Sequence, residues 1–269
     1  MSLWSRASFA LRSGRPDLRG AAGLCGVLLR HVRVASAATG TAVGVHRGPP
    51  EESDAVTPYY EDAWSTIYHG DNRDVLPLLA PVDLVFADPP YGVGMEYGDA
   101  YSDDGGKGYL SWMERLADQL QALAPVVFVT PGIRNVSAWP APTWMLAWHK
   151  PGSSRRSDLG GFNTWEPVLM YGKRRIYNDA KRLPDCVNHA KGDTGDHPCP
   201  KPLALLSWLI ADGSDEGGTV LDPFLGSGTT MRAAKTLGRK AIGIEIEERY
   251  CEIAAKRLAQ EVLDFGGVA

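Results

Sequence analysis

The chain has 269 residues, 44% of them hydrophobic, a size at the upper end for one domain with its own core. Thirty glycines and nineteen prolines are too few for a fibrous or wholly disordered protein, and the absence of any run of eighteen apolar residues excludes a transmembrane helix. Four cysteines in a chain of this length do not make the disulfide framework of a small secreted protein, so reduced, cytosolic thiols are expected.

The net charge of −4 conceals an asymmetry between the first fifty residues and the rest. Residues 1–50 hold seven arginines and one acid, Asp17, which leaves 21 of the 28 bases and 31 of the 32 acids for the remainder, a net of −10. Such a segment is typical of an organelle transit peptide, of an extension that packs on nothing, or of an arm that touches nucleic acid. We favour the second explanation and predict a disordered basic arm over 1–55 and a folded domain over 56–265.

From residue 56 onward, apolar runs of strand length alternate with stretches of helical period. Strands are predicted at 67–68, 83–87, 126–129, 144–148, 167–171, 219–221 and 241–244, and helices at 73–79, 110–123, 201–210, 229–237 and 250–262. Residues 91–108 and 172–198 have no period and are predicted to be loops. The alternation indicates an α/β domain with a mostly parallel sheet.

Residues 220–230 have the pattern of a cofactor loop. A strand ends, Gly226 and Gly228 permit a tight turn, and a helix begins with its N–H groups directed at the turn. Glu245 follows nineteen residues after Gly226, at the end of the next predicted strand, where an acid can accept hydrogen bonds from ribose hydroxyls. The alternative is a structural turn followed by a surface acid, but the register of strand, loop, helix and strand favours an adenosine-type cofactor.

The residues after the second glycine discriminate between cofactors. Met231 stands where a dinucleotide loop would have its third glycine, which disfavours NAD. Ser227, Thr229 and Thr230 offer hydroxyls and amides that suit a carboxylate, such as the methionyl end of S-adenosylmethionine.

The sequence Asp88-Pro89-Pro90-Tyr91 directly follows a predicted buried strand, so its side chains are expected at the ligand-binding edge of the sheet. Two prolines remove two N–H donors, which leaves the Asp88 carboxylate and the Pro89 carbonyl as acceptors for an amino group. Such acceptors draw an exocyclic base amine toward tetrahedral geometry and free its lone pair for attack on a methyl sulfonium. Tyr91 is expected to stack on a base that has left the duplex.

These two motifs together resemble those of the amino-directed DNA methyltransferases, N6-adenine or N4-cytosine, in their permuted beta arrangement with the catalytic motif first. Further matches are Gly70-Asp71, His197-Pro198-x-x-Lys201-Pro202 and Gly243-Ile244-Glu245-Ile246-Glu247, and the resemblance spans about residues 64–262. It implies a Rossmann-like class I methyltransferase fold with a mostly parallel seven-stranded sheet, helices on both faces and circularly permuted motif order. It also implies S-adenosylmethionine as cofactor and double-stranded DNA as substrate.

The resemblance assigns roles to individual residues. The catalytic residues are Asp88, Pro89, Pro90 and Tyr91. The cofactor-binding residues are Asp71, Lys201, Asp222, Phe224, Gly226, Ser227, Gly228, Thr229, Thr230 and Glu245. Within this set, Asp71 matches the acid that contacts the cofactor's adenine.

The family's target-recognition region is represented only by a short insertion near 172–197, too short for a separate domain. The stretch from Lys150 to Lys191 nevertheless carries nine bases against four acids, in an otherwise acidic body. We predict DNA contacts from Arg155, Arg156, Trp165, Arg174 and Arg175, with a solvated loop and a core tryptophan as alternatives.

Cys186-x-x-His189 and His197-x-Cys199 together offer four side chains of the types that bind zinc. The one-residue spacing of the second pair is unusual and His197 already belongs to a family motif, so no metal site is predicted. Cys251 is predicted to be a core residue of the last helix.

The sequence therefore predicts a site-specific, S-adenosylmethionine-dependent DNA methyltransferase. Adenine N6 is favoured because family members with Asp before Pro-Pro-Tyr act mostly on adenine, and N4-cytosine is the main alternative. RNA or protein-glutamine methylation, or an inactive remnant that binds cofactor or DNA, are less favoured. A cytoplasmic enzyme of bacterial or phage origin that does not associate with a membrane is expected, with organelle import as the alternative. The oligomeric state and a restriction endonuclease partner do not follow from the sequence.

Overall fold

The computed structural model describes residues 57–92, 96–97, 101–102, 108–151, 161–173, 184–189 and 201–259. The predicted basic arm lies outside the described residues, as do Arg155, Arg156, Arg174, Arg175 and His197. The division into an arm and a domain therefore stays a prediction.

The described elements alternate as the sequence predicts. The strands are β1 (Tyr60–Glu61), β2 (Ser65–His69), β3 (Leu84–Ala87), β4 (Glu96–Tyr97), β5 (Tyr101–Ser102), β6 (Val126–Val129), β7 (Trp144–His149), β8 (Trp165–Gly172), β9 (Cys186–Asn188), β10 (Thr219–Asp222) and β11 (Lys240–Glu245). The α-helices are α1 (Asn72–Val75), α2 (Tyr109–Leu123), α3 (Leu203–Gly213), α4 (Thr229–Thr236) and α5 (Glu248–Ala259), and 3₁₀ turns cover Leu76–Leu78 and Ile133–Ala138. None of the described helices is long and apolar enough to cross a membrane.

Nine of the described strands form one sheet in the order β1-β2-β11-β10-β3-β6-β8-β7-β9. The seven predicted strands make up its interior, from β2 to β7, and the short strands β1 and β9 extend the two edges. The strands β2, β11, β10, β3 and β6 pair in parallel, whereas β8 is antiparallel to both β6 and β7. This arrangement confirms the predicted α/β fold with a mostly parallel sheet.

Apolar side chains cover both faces of the central strands. In β3, Leu84 and Phe86 belong to a cluster that includes α3, α4 and α5, while Val85 and Ala87 belong to a second cluster that includes α2. All four are at most 2% exposed, because a parallel strand between two helical layers is buried on both sides. The predicted helices therefore do lie on both faces of the sheet.

The parallel strands end at one edge of the sheet, which we call the carboxyl edge. Asp71, Glu245, Asp222, Asp88 and Thr130 follow or end the successive strands β2, β11, β10, β3 and β6 along this edge. The catalytic and cofactor motifs, far apart in sequence, become neighbours because β3 pairs with β10, with Val220 opposite Leu84. The fold thus brings both motifs to one place.

Candidate active site

The glycine loop between β10 and α4 has a backbone that only glycine adopts easily. Gly226 and Gly228 have φ values of +53° and +83°, and Gly228 is the last residue before α4. A Cβ on Gly228 would lie 2.9 Å from the Cβ of Ala254 in α5. Both the left-handed conformation and the close approach of α5 therefore require glycine at this position.

Glu245, at the end of β11, binds the glycine loop directly. Its Oε2 accepts a hydrogen bond from the Gly226 N–H at 2.7 Å, and its Oε1 accepts one from the Glu247 N–H at 2.9 Å. Burial raises the pKa of this carboxyl. The Ile246 N–H also donates to this carboxylate, so about one of its four lone-pair sites is left for the predicted ribose contact.

Asp222 is the buried acid at the end of β10, with 3% of its surface exposed. Its Oδ1 accepts a hydrogen bond from the Phe224 N–H at 3.0 Å, and the Thr230 hydroxyl also donates to the carboxylate. Burial nevertheless raises the pKa of Asp222 to about 7. Asp222 therefore stabilises the glycine loop through hydrogen bonds to Phe224 and Thr230, and it lines the same cavity as Glu245.

Asp71 caps α1 and is paired with a base that sequence reasoning did not consider. Its Oδ1 accepts a hydrogen bond from the Arg73 N–H at 2.8 Å, and the Arg73 guanidinium contacts both carboxylate oxygens. Hydrogen bonds from Arg73 lower the pKa of Asp71 despite its partial burial. The next residue, Asn72, donates to the Pro223 carbonyl at 3.3 Å and so ties this corner to the glycine loop.

A single cavity at the carboxyl edge joins the two motifs. All four predicted catalytic residues line it, and so does every predicted cofactor residue except Gly228. Aromatic side chains that the sequence analysis did not identify complete the wall: Trp112 of α2 and Tyr250 of α5. Trp112 packs edge-to-face against Phe224, with ring centroids 6.2 Å apart.

Asp88 follows β3 and accepts hydrogen bonds on both carboxylate oxygens. Tyr91 and Thr130 donate their hydroxyls to Oδ1, at 3.0 and 2.5 Å. The Lys201 ammonium donates to Oδ2 at 2.5 Å and to the Tyr91 hydroxyl oxygen at 3.1 Å. The resemblance assigned Lys201 to the cofactor, but the contacts present here join it to the catalytic motif.

Polar contacts from two other elements hold the catalytic loop. The Tyr109 hydroxyl, at the start of α2, donates to the Pro90 carbonyl at 2.8 Å, and Asn135 Nδ2 donates to the Tyr91 carbonyl at 2.6 Å. Gly132, with φ +72°, faces the Tyr91 ring so closely that a Cβ would lie 3.2 Å from it. Sequence reasoning missed these supports, along with Thr130, although Thr130 directly follows a predicted strand and was therefore an available candidate.

Of the residues predicted to contact DNA, Trp165 is described by the structure and the four arginines are not. Trp165, at the start of β8 on the carboxyl edge, is 41% exposed, so the alternative of a core tryptophan was wrong. It is not among the residues that line the cavity. Lys150 of the basic stretch is buried and lies 2.6 Å from the Glu166 carboxylate, which removes it from the candidates for phosphate contact.

The cysteine and histidine residues offer no metal ligands where they are described. The described part of the chain contains no group of three His, Cys, Asp or Glu side chains that could hold a metal ion. His197 and Cys199 lie outside that part. Cys251 is fully buried in α5, as predicted, and burial raises the pKa of its thiol to about 12.

Comparison with known proteins supports the family suggested by the two motifs. A family model named for N6 and N4 methyltransferases, with the description "DNA methylase", matches residues 142–256. The Type II methyltransferase M2.DpnII of Streptococcus pneumoniae is 28% identical over 249 residues, covering 76% of this chain and 93% of its own. The DNA adenine methyltransferase YhdJ of Escherichia coli is 29% identical over 244 residues, covering 72% of this chain and 82% of its own.

Solved structures share the fold. The M1.HpyAVI–SAM complex has a TM-score of 0.54 at 26% identity, covering 72% of this chain and 99% of that protein. The cytosine-N4-specific PvuII DNA methyltransferase has a TM-score of 0.61 at 18% identity, covering 78% and 91%, and this likeness bears on the fold alone. Taken with the shared cavity and the motif order, the family model and these relatives bear out the predicted resemblance to the amino-directed DNA methyltransferases, a family whose cofactor is S-adenosylmethionine.

Proposed function

We propose that this protein transfers a methyl group from S-adenosylmethionine to the N6 amine of an adenine flipped out of double-stranded DNA. The observation that supports this proposal most is the shared cavity: Asp88 and the glycine loop line one continuous cavity at the carboxyl edge. A base amine at Asp88 and a cofactor at Gly226 would therefore meet without any rearrangement of the sheet.

The residues that line the cavity fit the cofactor's chemistry. Carboxylates of Asp71 and Glu245 can accept from its amine and ribose hydroxyls, and hydroxyls of Ser227 and Thr229 can donate to its carboxylate. Trp112 and Phe224 supply apolar surface for its adenine ring. When bound, S-adenosylmethionine would supply a methyl group on a positively charged sulfur, the N–C bond forming as the C–S bond breaks, with the neutral thioether as the leaving group.

The catalytic loop acts on the amine. The Asp88 carboxylate and the Pro89 carbonyl each accept one of its two N–H groups, which favours tetrahedral nitrogen and directs the lone pair to the methyl carbon. The methylated nitrogen carries the positive charge and releases one proton to solvent, which leaves a neutral secondary amine. Tyr91 lines the cavity beside Asp88 and offers a ring on which the base can stack, a contact that contributes about 1–3 kcal/mol per base.

Adenine rather than cytosine is proposed on two grounds. The residue before Pro-Pro-Tyr is Asp88, and the relative YhdJ, whose name specifies adenine, aligns over 82% of its length. The named relatives are bacterial, which supports an enzyme that meets DNA in a prokaryotic cytoplasm.

The decisive test is to incubate the protein with methyl-labelled S-adenosylmethionine and mixed-sequence DNA, digest the DNA and identify the labelled nucleoside. We expect N6-methyladenine. An Asp88→Ala variant should lose about 10²–10³ in rate, the usual effect of removing one positioned electrostatic partner, while it binds cofactor with nearly unchanged affinity in calorimetry.

Three outcomes would contradict the proposal. Label found only in N4-methylcytosine would show that the enzyme acts on the N4 amine of cytosine and not on the N6 amine of adenine. Label in RNA or protein but not in DNA would reject the substrate class. An Asp88→Ala variant with near wild-type turnover would reject the mechanism.

A further inference from the structure

The Asp88 carboxylate has more hydrogen-bond donors around it than an acceptor of a substrate amine requires. We propose that Lys201 and Thr130 are positioning residues for catalysis, which together orient the Asp88 carboxylate so that one lone pair, on Oδ2, is left for the amine. The inference rests on the proposed function, because it concerns how the same carboxylate meets the base.

A count of acceptor sites supports this inference. An ionised carboxylate has about four lone-pair sites, two on each oxygen. Tyr91 and Thr130 both donate to Oδ1, at 3.0 and 2.5 Å, and Lys201 donates to Oδ2 at 2.5 Å. Three of the four sites are therefore occupied, and the fourth is on Oδ2. An incoming N–H group can therefore bind only at the remaining lone pair of Oδ2. The three hydrogen bonds from Tyr91, Thr130 and Lys201 fix the direction of that lone pair.

The two positioning groups are anchored by different parts of the fold. Thr130 is fully buried at the end of β6, and its N–H donates to the Ala87 carbonyl at 3.0 Å, next to Asp88 in the chain. Lys201 precedes Pro202, where α3 begins, and the α3 side chains Leu205 and Leu209 are fully buried. Rotation of the Asp88 carboxylate would lengthen or break the hydrogen bonds from Thr130 and Lys201, so both donors oppose that rotation.

The charge of Lys201 suits the position. Its side chain is 9% exposed and lies against a carboxylate that is 24% exposed, so the pair is largely shielded from water. Burial lowers the pKa of Lys201, but the neighbouring negative charge of Asp88 outweighs it and keeps the pKa well above its ordinary value. The ammonium therefore stays protonated, donates hydrogen bonds only, and does not compete with the amine as a nucleophile.

The experiment compares single variants of the full chain at saturating cofactor and DNA. Lys201→Met should lower kcat by roughly 10–100-fold, the scale of a misplaced catalytic group, while the Kd for S-adenosylmethionine changes by less than about threefold. Thr130→Val should lower kcat by roughly tenfold, and Thr130→Ser, which restores the hydroxyl, should recover to within about threefold of wild type.

Lys150→Met is the matched control. It removes another buried ammonium, 2.6 Å from Glu166 at the same edge of the sheet, but Lys150 does not line the cavity. This variant should unfold at lower temperature and keep its kcat, because breaking a buried ion pair costs stability without moving Asp88.

The possible results separate the alternatives. If Lys201→Met weakens cofactor binding and keeps kcat at saturation, Lys201 is a cofactor ligand and the inference is wrong. If Thr130→Ser is as slow as Thr130→Val, the hydroxyl does not position Asp88, and this pair decides the matter should Lys201→Met fail to fold. A wild-type protein that methylates no DNA would reject the proposed function, whereas an active wild type beside equally active variants would reject this inference alone.

Discussion

At the scale of single residues, Asp222 is unusual because it is an acid buried beneath the loop it supports. Its pKa is about 7 in the folded chain against an ordinary 3.8. Between about pH 4 and 7 the folded state therefore holds a proton on Asp222 that the unfolded chain has released, so the contribution of Asp222 to stability falls as the pH rises through this window. The full effect is up to about 4 kcal/mol, since each pKa unit corresponds to about 1.4 kcal/mol.

Asp222→Asn should remove this pH dependence. We expect the variant to be more stable than the wild type at pH 8 and not at pH 4, since asparagine has no proton to release. Urea unfolding at several pH values measures the difference, with Asp118→Asn on the exposed face of α2 as the control. Equal slopes for wild type and Asp222→Asn would show that another group is responsible.

Residues that follow predicted strands could be placed from the sequence, and their partners could not. Asp88, Asp222 and Glu245 were placed correctly at the edge of the sheet because each ends or follows an apolar run. That Thr130 and Lys201 meet Asp88 depends on which strand lies beside β3 and on where α3 begins. Neither fact is local, so hydrophobic periodicity contains no information about it.

At the scale of elements, length decided which strands were predictable. The strands of four or more residues each have an apolar run, whereas β1, β4, β5 and β9 have two or three residues and no measurable period. In β9 only Val187 is buried. Pairing, rather than sequence pattern, therefore specifies these short strands: β1 and β9 pair with the edges of the main sheet, and β4 and β5 pair with each other.

The junction of β6 and β8 depends on a single glycine. Gly172 ends β8 opposite Val126 with φ +89°, and a Cβ there would lie 1.9 Å from the Pro125 carbonyl oxygen. Gly172→Ala should destabilise the protein by about 1–3 kcal/mol for the backbone conformation and by about as much again for the clash.

The chain offers a matched control for Gly172→Ala. Gly217 has a φ of +80° but open space where a Cβ would lie, so Gly217→Ala incurs the conformational cost alone. Both variants are compared by urea unfolding. If they lose equal stability, the contact between β8 and Pro125 is not as close as the structure indicates.

At the scale of the whole molecule, the described residues that flank the two predicted arginine pairs lie at opposite edges of the sheet. Pro151 and Gly161, on either side of the segment with Arg155 and Arg156, adjoin the end of β7 and the start of β8 at the carboxyl edge. Lys173, directly before Arg174, follows the end of β8 that pairs with the start of β6, at the other edge.

Arg155 and Arg156 are therefore expected to contribute more to DNA binding than Arg174 and Arg175. Replacing the first pair by alanine should flatten the logarithmic salt dependence by about 0.9 per lost phosphate contact, and replacing the second pair should do so less. Fluorescence anisotropy with labelled duplex DNA over a range of salt concentrations measures both slopes. The reverse order would place the DNA across the opposite edge.

The strand order has a consequence for how the protein is made. β2 and β3 follow one another along the first half of the chain. In the sheet, however, β11 and β10, from the end of the chain, lie between them. At translation rates of about 5–20 residues per second, the roughly 130 residues from β3 to β10 take on the order of 10 s to emerge. Throughout that time β2 and β3 each present an unpaired edge, the kind of surface on which nascent chains aggregate. A chain stalled before residue 219 would contain β3 and its neighbours β6, β8, β7 and β9, but it would lack β10 and β11, so β2 would have no parallel partner.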